Sequence, residues 1–409
     1  MTATRARGRT ASDGVLLASE IMTKTKAVAE LASAQADQME IEASVSRPVF
    51  DATNSAGLYG IMLPMEVGGS GADFATVAES IEEMARADGS TGWAYMVNVT
   101  MAGSVQANCS AAMVDALFKA DPRPVLAGQL PPVGKAVRVD GGYRVTGRYS
   151  FASGSTYANW IGGGAVVTDG IDGSESSSGT IIFFVPKVEA TMKGNWNVMG
   201  LNGTGSYDYE IVDKYVPDAM TSDGAMLSFA SSSRAMRGTA YQKLGMFGVG
   251  LSGHCAVIIG IGRRAMEEVV RIANSKVRIG ANETVAENAV FCDDFARNEI
   301  LLRAARGVFY DTFRHAEANA ERLGYITHGD AARLRQTTIW LHDIIDGVVK
   351  FCHRWSGTGI IRHPSVLGRC TRDMAVATQH IVADPGAMSA CAIPIFDEWL
   401  KHPDGVFLP

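Results

Sequence analysis

The stretch Ala136-Val-Arg-Val-Asp-Gly-Gly-Tyr-Arg-Val-Thr-Gly-Arg-Tyr149 decides the fold class of this 409-residue chain. Apolar and polar residues alternate on both sides of Asp140-Gly141-Gly142, which is the pattern of a β-hairpin with a tight turn. The same reading predicts further strands over residues 160–168, 179–187 and 207–216. The middle of the chain is therefore predicted to be a β domain.

Helical periodicity occupies both flanks of this β-rich region. Helices are predicted before it over residues 15–43, from Arg47-Pro48 onward, over 74–86 and over 91–108, and after it over 246–277, 286–322, 330–354 and 365–383. Helices, then strands, then helices indicate segregated α and β regions, hence the α+β class. The predicted domains are an N-terminal helical domain (1–122), a central β domain (123–227) and a C-terminal helical bundle (228–409).

Composition excludes several classes of function. The formal charge of −6, the pI near 5.8 and the lack of a basic run argue against nucleic-acid binding. The six cysteines lack C-x-x-C spacing and the eight histidines lack H-x-x-x-H pairing, so no disulfide framework or metal site is predicted. No signal peptide or apolar run of spanning length is apparent, so we expect a cytoplasmic protein without a membrane partner.

Two motifs suggest chemistry that their context does not support. Gly248-Val-Gly-Leu-Ser-Gly253 fits the dinucleotide-binding pattern, but no strand precedes it and no βαβ unit surrounds it. We therefore expect these glycines to allow close helix packing. Ser153 lacks the strand-turn-helix context of a hydrolase nucleophile.

Several segments, taken in order, resemble the acyl-CoA dehydrogenases, and more closely their two-component flavin-dependent monooxygenase relatives. These relatives include hydroxylases of phenols, steroid-derived phenols and dibenzothiophene, and amine N-hydroxylases. The segments are Leu58-Tyr-Gly-Ile-Met-Leu-Pro-Met-Glu-Val-Gly-Gly-Ser-Gly71, Asp88-Gly-Ser-Thr-Gly-Trp93, Gly147-Arg-Tyr-Ser-Phe-Ala-Ser-Gly-Ser-Thr-Tyr-Ala-Asn-Trp160, Met199-Gly-Leu-Asn-Gly-Thr-Gly-Ser206, Arg369-Cys-Thr-Arg-Asp373 and Gln379-His-Ile-Val-Ala-Asp-Pro385. The resemblance implies the acyl-CoA dehydrogenase fold, with a central β-barrel or sandwich and a C-terminal four-helix bundle.

The resemblance also implies a function. Reduced FAD, with FMN as a possibility, would come from a separate NAD(P)H:flavin reductase, because no nicotinamide-binding module is visible. Its reaction with oxygen would give a C4a-hydroperoxide that oxygenates a small aromatic or heteroaromatic substrate such as a phenol or indole. Members of this family usually assemble as homotetramers through their C-terminal helices.

Flavin-binding residues follow from the resemblance. Hydroxyl and amide groups of the loop containing Phe151, Ala152 and Ser153 would hydrogen-bond the central flavin ring. The turn that contains Gly203, Thr204 and Ser206 would approach the pyrophosphate. Lys276 stands near the place where dehydrogenases use an arginine to hold a neighbouring subunit's flavin, and could substitute only as a point charge.

His380 is the candidate catalytic residue, together with Ser153. No glutamate lies between Arg372 and Asp397, where a dehydrogenase carries its base, and a histidine suits deprotonation of a phenol, indole or amine, or guidance of the peroxide proton. An aromatic pocket is predicted at Trp93, Tyr95, Met96 and Tyr157.

Three alternatives stay open at this point. An acyl-CoA dehydrogenase or flavin oxidase would need another base, for which Asp384 is the nearest carboxylate. An amine N-hydroxylase would share the same motifs, and a non-catalytic helical protein would merely keep the fold.

Related phenol hydroxylases carry histidines where this chain has Thr100-Met101 and Ser155-Thr156-Tyr157.

Overall fold

A computed structural model of the chain describes residues 15–119, 121–168, 177–227 and 237–401. Helices lie at both ends of this part of the chain and a sheet lies between them, so the α+β class is confirmed. The predicted boundary after residue 122 falls in the connection from the last N-terminal helix to the first strand. The boundary after residue 227 adjoins residues 228–236, which lie outside the described part. Both boundaries stay predictions.

The N-terminal helices begin at polar caps that the sequence supplies. Ser46 caps the second helix, with Pro48 in its first turn, and Asp73 and Asp88 cap the third and fourth through the backbone amides of Thr76 and Thr91. The helices are α1 (Ala18–Glu42), α2 (Arg47–Ser55), α3 (Phe74–Ala87), α4 (Gly89–Asn108) and α5 (Ala111–Phe118). Of these five helices, only α5 was not predicted, because eight residues show too little periodicity.

The central domain is a mixed sheet in the order β5-β6-β2-β1-β3-β4-β7. The predicted hairpin is confirmed: β1 and β2 are antiparallel and Val139 pairs with Gly142 across the turn. β3 runs parallel to β1 on its other side. The strands are β1 (Leu126–Val139), β2 (Gly142–Ala152), β3 (Trp160–Thr168), β4 (Ser177–Pro186), β5 (Thr191–Met192), β6 (Tyr207–Pro217) and β7 (Thr221–Asp223).

Long helices form the C-terminal part. They are α6 (Gly245–Ser275), α7 (Ala289–Leu323), α8 (His328–Ser356), α9 (Val366–Ala377) and α10 (Ala392–Lys401). The predicted helix over 365–383 was wrong at its end, because α9 stops at Ala377. Thr378 closes it, and His380 adopts an extended conformation and caps a short 3-10 turn over Ile381–Ala383. The predicted catalytic histidine therefore lies in a tight turn.

Helix α6 is the central helix of the protein and packs against α8, α3 and α4. The segment Gln242–Ser275, which is α6 with the turn before it, is long and apolar enough to cross a membrane and has a mean hydropathy of 1.8 in its most apolar window. However, 89% of that window is buried inside the protein. At Gly260 a Cβ would lie 2.4 Å from the carbonyl oxygen of Glu82. Glycine thus allows α6 to approach the backbone of α3.

The dinucleotide-type glycine motif lies within α6. Gly248, Gly250 and Gly253 are all helical, and a 3-10 turn rather than a strand precedes them. A Cβ at Gly253 would lie 2.6 Å from the Met96 side chain of α4. Gly253 confirms the prediction that this motif allows close helix packing, whereas a Cβ at Gly250 would meet no atom within 4 Å.

Candidate active site

The candidate site lies where α4 and α6 meet beside the turn after α9. Trp93 lies one helical turn before Met96 on α4, so the two share the face that meets α6. His254 follows Gly253 on α6 at this contact. The Trp93 and His254 rings have centroids 4.7 Å apart in an edge-to-face arrangement. A tryptophan and a histidine distant in sequence thus form one wall.

His380 completes this wall from the turn after α9. Its ring centroid lies 4.1 Å from that of His254, with 32° between the planes, and 5.6 Å from that of Trp93. His254 is 7% exposed and belongs to the buried interior. The structure therefore joins the predicted His380 and Trp93 through a histidine that sequence reasoning did not select.

Burial keeps these imidazoles neutral near pH 7. It is the main cause that lowers the pKa of His380 to about 4, and His342 adds to the effect. Burial also holds the pKa of His254 well below its usual value, aided by His380 and His342. The neighbouring charges that shift these two pKa values belong to histidines and not to carboxylates. The site therefore supplies neutral acceptors and donors.

Backbone contacts fix the tautomers of two of the rings. The Val382 amide donates to Nδ1 of His380 at 3.4 Å, so the proton of His380 is on Nε2. In α8, Nδ1 of His342 lies 2.8 Å from the Thr338 carbonyl oxygen and must donate to it. His342 Nε2 is then a bare acceptor, buried without a partner in the described part of the chain.

A chain of hydroxyls joins the helices to the β domain. Trp93 Nε1 donates to Ser153 Oγ at 3.2 Å, and Ser153 Oγ lies 2.7 Å from Ser206 Oγ. Ser206 Oγ is also 2.7 Å from Thr204 Oγ1, which donates to the Leu201 carbonyl at 2.7 Å. Because a hydroxyl has one proton, Ser206 must donate to Thr204 and Ser153 to Ser206. Ser153 therefore has only acceptor capacity left.

The other predicted flavin-binding residues have varied settings. Ala152 is buried in the sheet, whereas Phe151 has φ +61 and is 65% exposed, with its ring 6.0 Å from that of Trp196. A positive φ in a phenylalanine is strained and marks a local constraint. The Gly203 amide donates to Ser90 Oγ at 3.2 Å and the Thr204 amide to the Leu201 carbonyl. The binding roles of these residues stay predictions.

Three predicted residues lie away from the histidine cluster. Tyr95 is on another face of α4, where its hydroxyl is 2.9 Å from Ser80 Oγ, and Tyr157 stacks on Phe50 with centroids 4.5 Å apart. Both tyrosines line a separate small cavity. Lys276 caps the far end of α6, about 33 Å from His254 at 1.5 Å per residue, and hydrogen-bonds the Ser356 carbonyl. One pocket does not gather all the predicted substrate residues.

Charged side chains of α9 hold it against the N-terminal helices and the β domain. Asp373 Oδ1 accepts a 2.6 Å hydrogen bond from the amide of Leu201, which has φ +53 and precedes Asn202–Thr204. Arg369 lies 2.7 Å from Asp37 and 3.4 Å from Asp88, the cap of α4. These contacts link α9, α1, α4 and the turn of the β domain. The turn of His380 is thereby held near Trp93.

The residues present fit a flavin ring. A flat, neutral heteroaromatic ring needs a hydrogen-bonding group at its polar edge and apolar or aromatic contact on its faces. Ser153 offers a spare acceptor, Trp93 donates to it, and Phe151 lies in the same loop. No group of three metal-ligating side chains is found within residues 15–119, 121–168, 177–227 and 237–401. The Ser153 acceptor and the neighbouring aromatic rings therefore suit a flat organic ring.

His254 and His342 are the site residues that sequence reasoning missed. His254 directly follows Gly253, and the attention given to the glycine motif hid a polar residue within an otherwise apolar helix. The available signal was that this histidine stands between Gly253 and the apolar run Cys255 to Ile259, because a buried polar group needs a hydrogen-bond partner. Neither spacing nor periodicity could have paired it with His380.

Comparisons with known proteins identify the family of the chain. The acyl-CoA dehydrogenase N-terminal domain family matches residues 20–117, and the acyl-CoA dehydrogenase C-terminal domain family matches residues 252–385. The chain is 25% identical over 347 residues to the indole-3-acetate monooxygenase of Pseudomonas putida, covering 85% of this chain and 86% of that protein.

Solved structures show the same fold along nearly the whole chain. XiaF from a Streptomyces species, in complex with FADH2 and glycerol, superposes with a TM-score of 0.85 at 18% identity and covers 98% of each chain. TdsC from Paenibacillus sp. A11-2, in a complex with FMN and indole, has a TM-score of 0.78 at 18% identity and covers 93% of this chain and 97% of that one.

Proposed function

The chain belongs to the acyl-CoA dehydrogenase superfamily, and from this premise we propose that it is the oxygenase component of a two-component flavin-dependent monooxygenase. The substrate is a small, electron-rich aromatic or heteroaromatic molecule such as a phenol or an indole. Relatives named as monooxygenases, one of them for indole-3-acetate, support this choice of substrate.

The pair formed by His254 and His380 carries the proposal. The two ring centroids are 4.1 Å apart, and burial lowers the pKa of both imidazoles so that they are neutral near pH 7. Neutral imidazoles suit proton exchange with a phenol or an indole.

The hydroxyl chain favours the reduced cofactor. Reduced flavin, when bound, supplies the two electrons that activate oxygen, and its central ring carries an N–H where the oxidised ring has a bare nitrogen. Ser153 has only acceptor capacity because its proton is directed to Ser206 and its partner Trp93 donates to it. We assign Ser153 to accept from that N–H. FAD is the proposed form, with FMN as the alternative.

The proton on Nε2 gives His380 a defined role. Its Nδ1 accepts from the Val382 amide, so Nε2 presents a donor to the site. A donor there can guide a proton to oxygen that leaves as water, or hold a substrate oxygen. We therefore assign His380 as the proton guide.

The carboxylate that a dehydrogenase would need as its catalytic base is poorly placed. Asp384, the carboxylate nearest to the expected position, is exposed, and its side chain accepts a 2.9 Å hydrogen bond from the Gly386 amide in the next turn. An exposed carboxylate engaged as a cap is poorly placed to act as a base in a dry pocket.

Single-turnover chemistry tests the proposed function. The protein is mixed anaerobically with reduced FAD or reduced FMN and an indole or phenol, and then with oxygenated buffer. We expect an oxygenated product with one atom from ¹⁸O₂, and hydrogen peroxide in its place when substrate is omitted. Hydrogen peroxide alone with every substrate, together with bleaching of oxidised flavin by an acyl-CoA thioester, would support a dehydrogenase instead.

Three further parts of the proposal concern partners and location. A separate NAD(P)H:flavin reductase supplies the reduced flavin, the oxygenase forms a homotetramer, and it works in the cytoplasm. Light scattering of the purified protein tests the tetramer, and a mass near that of the monomer would refute it. To test the supply of reduced flavin, a flavin reductase is separated from the oxygenase by a dialysis membrane. Product formation in this arrangement would show that free diffusion of reduced flavin is sufficient for the reaction.

A further inference from the structure

We propose that His254 is a second catalytic residue, which accepts the N–H or O–H proton of the aromatic substrate. This inference rests on the proposed function and identifies the group that recognises the substrate class. The substrate is then an aromatic ring with an acidic N–H or O–H, such as an indole or a phenol, rather than a bare hydrocarbon or a thioether.

The hydrogen bonds of the three buried histidines separate their roles. His380 uses Nδ1 as an acceptor for Val382, and His342 uses Nδ1 as a donor to Thr338. His254 makes no hydrogen bond to any residue in the described ranges, and its Nδ1 is fully buried. Of the two rings in direct contact at 4.1 Å, only His254 has both ring nitrogens uncommitted to the protein.

An unpartnered imidazole in this place needs an explanation. A buried polar atom without a hydrogen-bond partner is unfavourable, and a bound ligand is one group that can satisfy it. His254 lies against two other residues of the candidate site, with ring centroids 4.7 Å from Trp93 and 4.1 Å from His380. A core position with no function would be served better by leucine, which fills similar space without a polar atom.

The chemistry is a proton transfer that balances within the overall reaction. The N–H or O–H bond of the substrate breaks, its electron pair stays on the substrate, and the proton moves to the bare nitrogen of His254. The ring becomes more nucleophilic toward oxygen. Overall, substrate, oxygen and reduced flavin give hydroxylated product, water and oxidised flavin, with His254 returned to its neutral form.

His254 and His380 then have opposite roles in proton transfer. His254 takes a proton from the substrate, while His380 presents the proton on its Nε2. Their ring centroids lie 4.1 Å apart, so the two groups act at neighbouring positions of one site. The pocket needs no carboxylate for this exchange.

Equilibrium binding tests the inference without turnover. Indole and benzofuran, which have nearly the same shape but only the first of which carries N–H, are titrated calorimetrically into the full chain with and without oxidised FAD. A site built to accept a hydrogen bond discriminates strongly against the analogue that lacks the donor. We expect the wild type to bind indole at least about tenfold more tightly than benzofuran.

Variants of His254 supply the decisive comparison. In His254→Leu the preference for indole falls to about twofold or less, and His254→Asn, which keeps an acceptor near the position of Nδ1, restores part of it. The exposed His315 on α7 provides the matched control, because His315→Leu removes an imidazole away from the site and keeps the wild-type preference. Unfolding curves of each variant check that it is folded.

The outcomes separate this inference from the proposed function. Equal preference for indole in the wild type and in His254→Leu, or no preference in the wild type, would overturn the role of His254. A wild type that discriminates in the expected way but forms only hydrogen peroxide would contradict the monooxygenase proposal while leaving His254 as the group that binds the N–H.

Discussion

Trp93 Nε1 donates a 3.2 Å hydrogen bond to Ser153 Oγ, while the ring of the same tryptophan lies against both His254 and His380. One side chain of α4 thus contacts the Ser153 loop of the β domain, which we propose binds flavin, and the rings of His254 and His380, which we propose exchange protons. Substitutions in the Ser153 loop or at the two histidines are therefore expected to act on each other through Trp93.

Replacing His380 with alanine should lower the rate of oxygenation by about 100-fold or more, in line with the usual contribution of a positioned acid or base. Binding of reduced flavin should change little, because His380 contacts Trp93 and His254 rather than the Ser153 loop. Product yield per reduced flavin measures the effect, and His315→Ala serves as the exposed control. A His380→Ala variant with wild-type yield would remove His380 from the mechanism.

Replacing Thr204 with valine should reduce the preference for reduced flavin. The substitution removes the hydroxyl that accepts from Ser206, so Ser206 is free to donate to Ser153 and the Ser153 proton is released. Ser153 can then donate to the bare nitrogen of oxidised flavin. The ratio of dissociation constants for oxidised and reduced flavin should fall several-fold. An unchanged ratio would show that the direction of the hydroxyl chain does not govern redox preference.

The stability of the protein should rise with pH between about 4 and 6.5 through its buried histidines. Burial lowers the pKa of His380 and of His342 to about 4 from 6.5, so the unfolded chain binds more protons in this window. The free energy of unfolding therefore increases with pH there, by up to about 1.4 kcal/mol per pH unit for each histidine. His380→Gln should flatten this slope in urea unfolding curves, and a slope equal to that of wild type would contradict the neutral, buried imidazole.

Asp373 should have the opposite effect. Burial, followed by Asp88, raises its pKa from 3.8 to about 7, so the folded chain binds more protons than the unfolded chain between these values and loses stability as pH rises. Asp373→Asn keeps an oxygen that can accept from Leu201 but cannot ionise. Relative to the wild type, this variant should gain stability from pH 4 to pH 7. A constant difference in melting temperature across that range would argue against a protonated Asp373.

Two glycines of α6 should respond oppositely to alanine. At Gly260 a Cβ would lie 2.4 Å from a backbone oxygen of α3, so Gly260→Ala should cost about 2 kcal/mol or more through displacement of the helices. At Gly250 no atom lies within 4 Å of the added Cβ, and Gly250→Ala should gain up to about 1 kcal/mol from helix propensity. Urea unfolding of both variants tests the pair, and equal effects would refute the close contact.

Local sequence patterns determined most of the secondary structure. Alternation around Asp140-Gly141-Gly142 identified the β1–β2 hairpin, and long periodic segments identified α6, α7 and α8, because both signals depend on neighbouring residues. The end of α9 was misplaced since periodicity continued past Ala377, while the turn at His380 is stabilised by a side-chain cap. The family resemblance supplied the flavin and the likeness to monooxygenases.

Only the tertiary structure decided which residues share the site. The sequence singled out His380, Ser153 and Trp93, but nothing in their spacing required His254 to join them. The approach of α4 to α6 at Gly253 and the turn after α9 bring these side chains together, since packing of distant helices depends on the shapes of both surfaces. The direction of the hydroxyl chain and the tautomers likewise depend on contacts between segments, because a single proton on each group must satisfy all its neighbours at once.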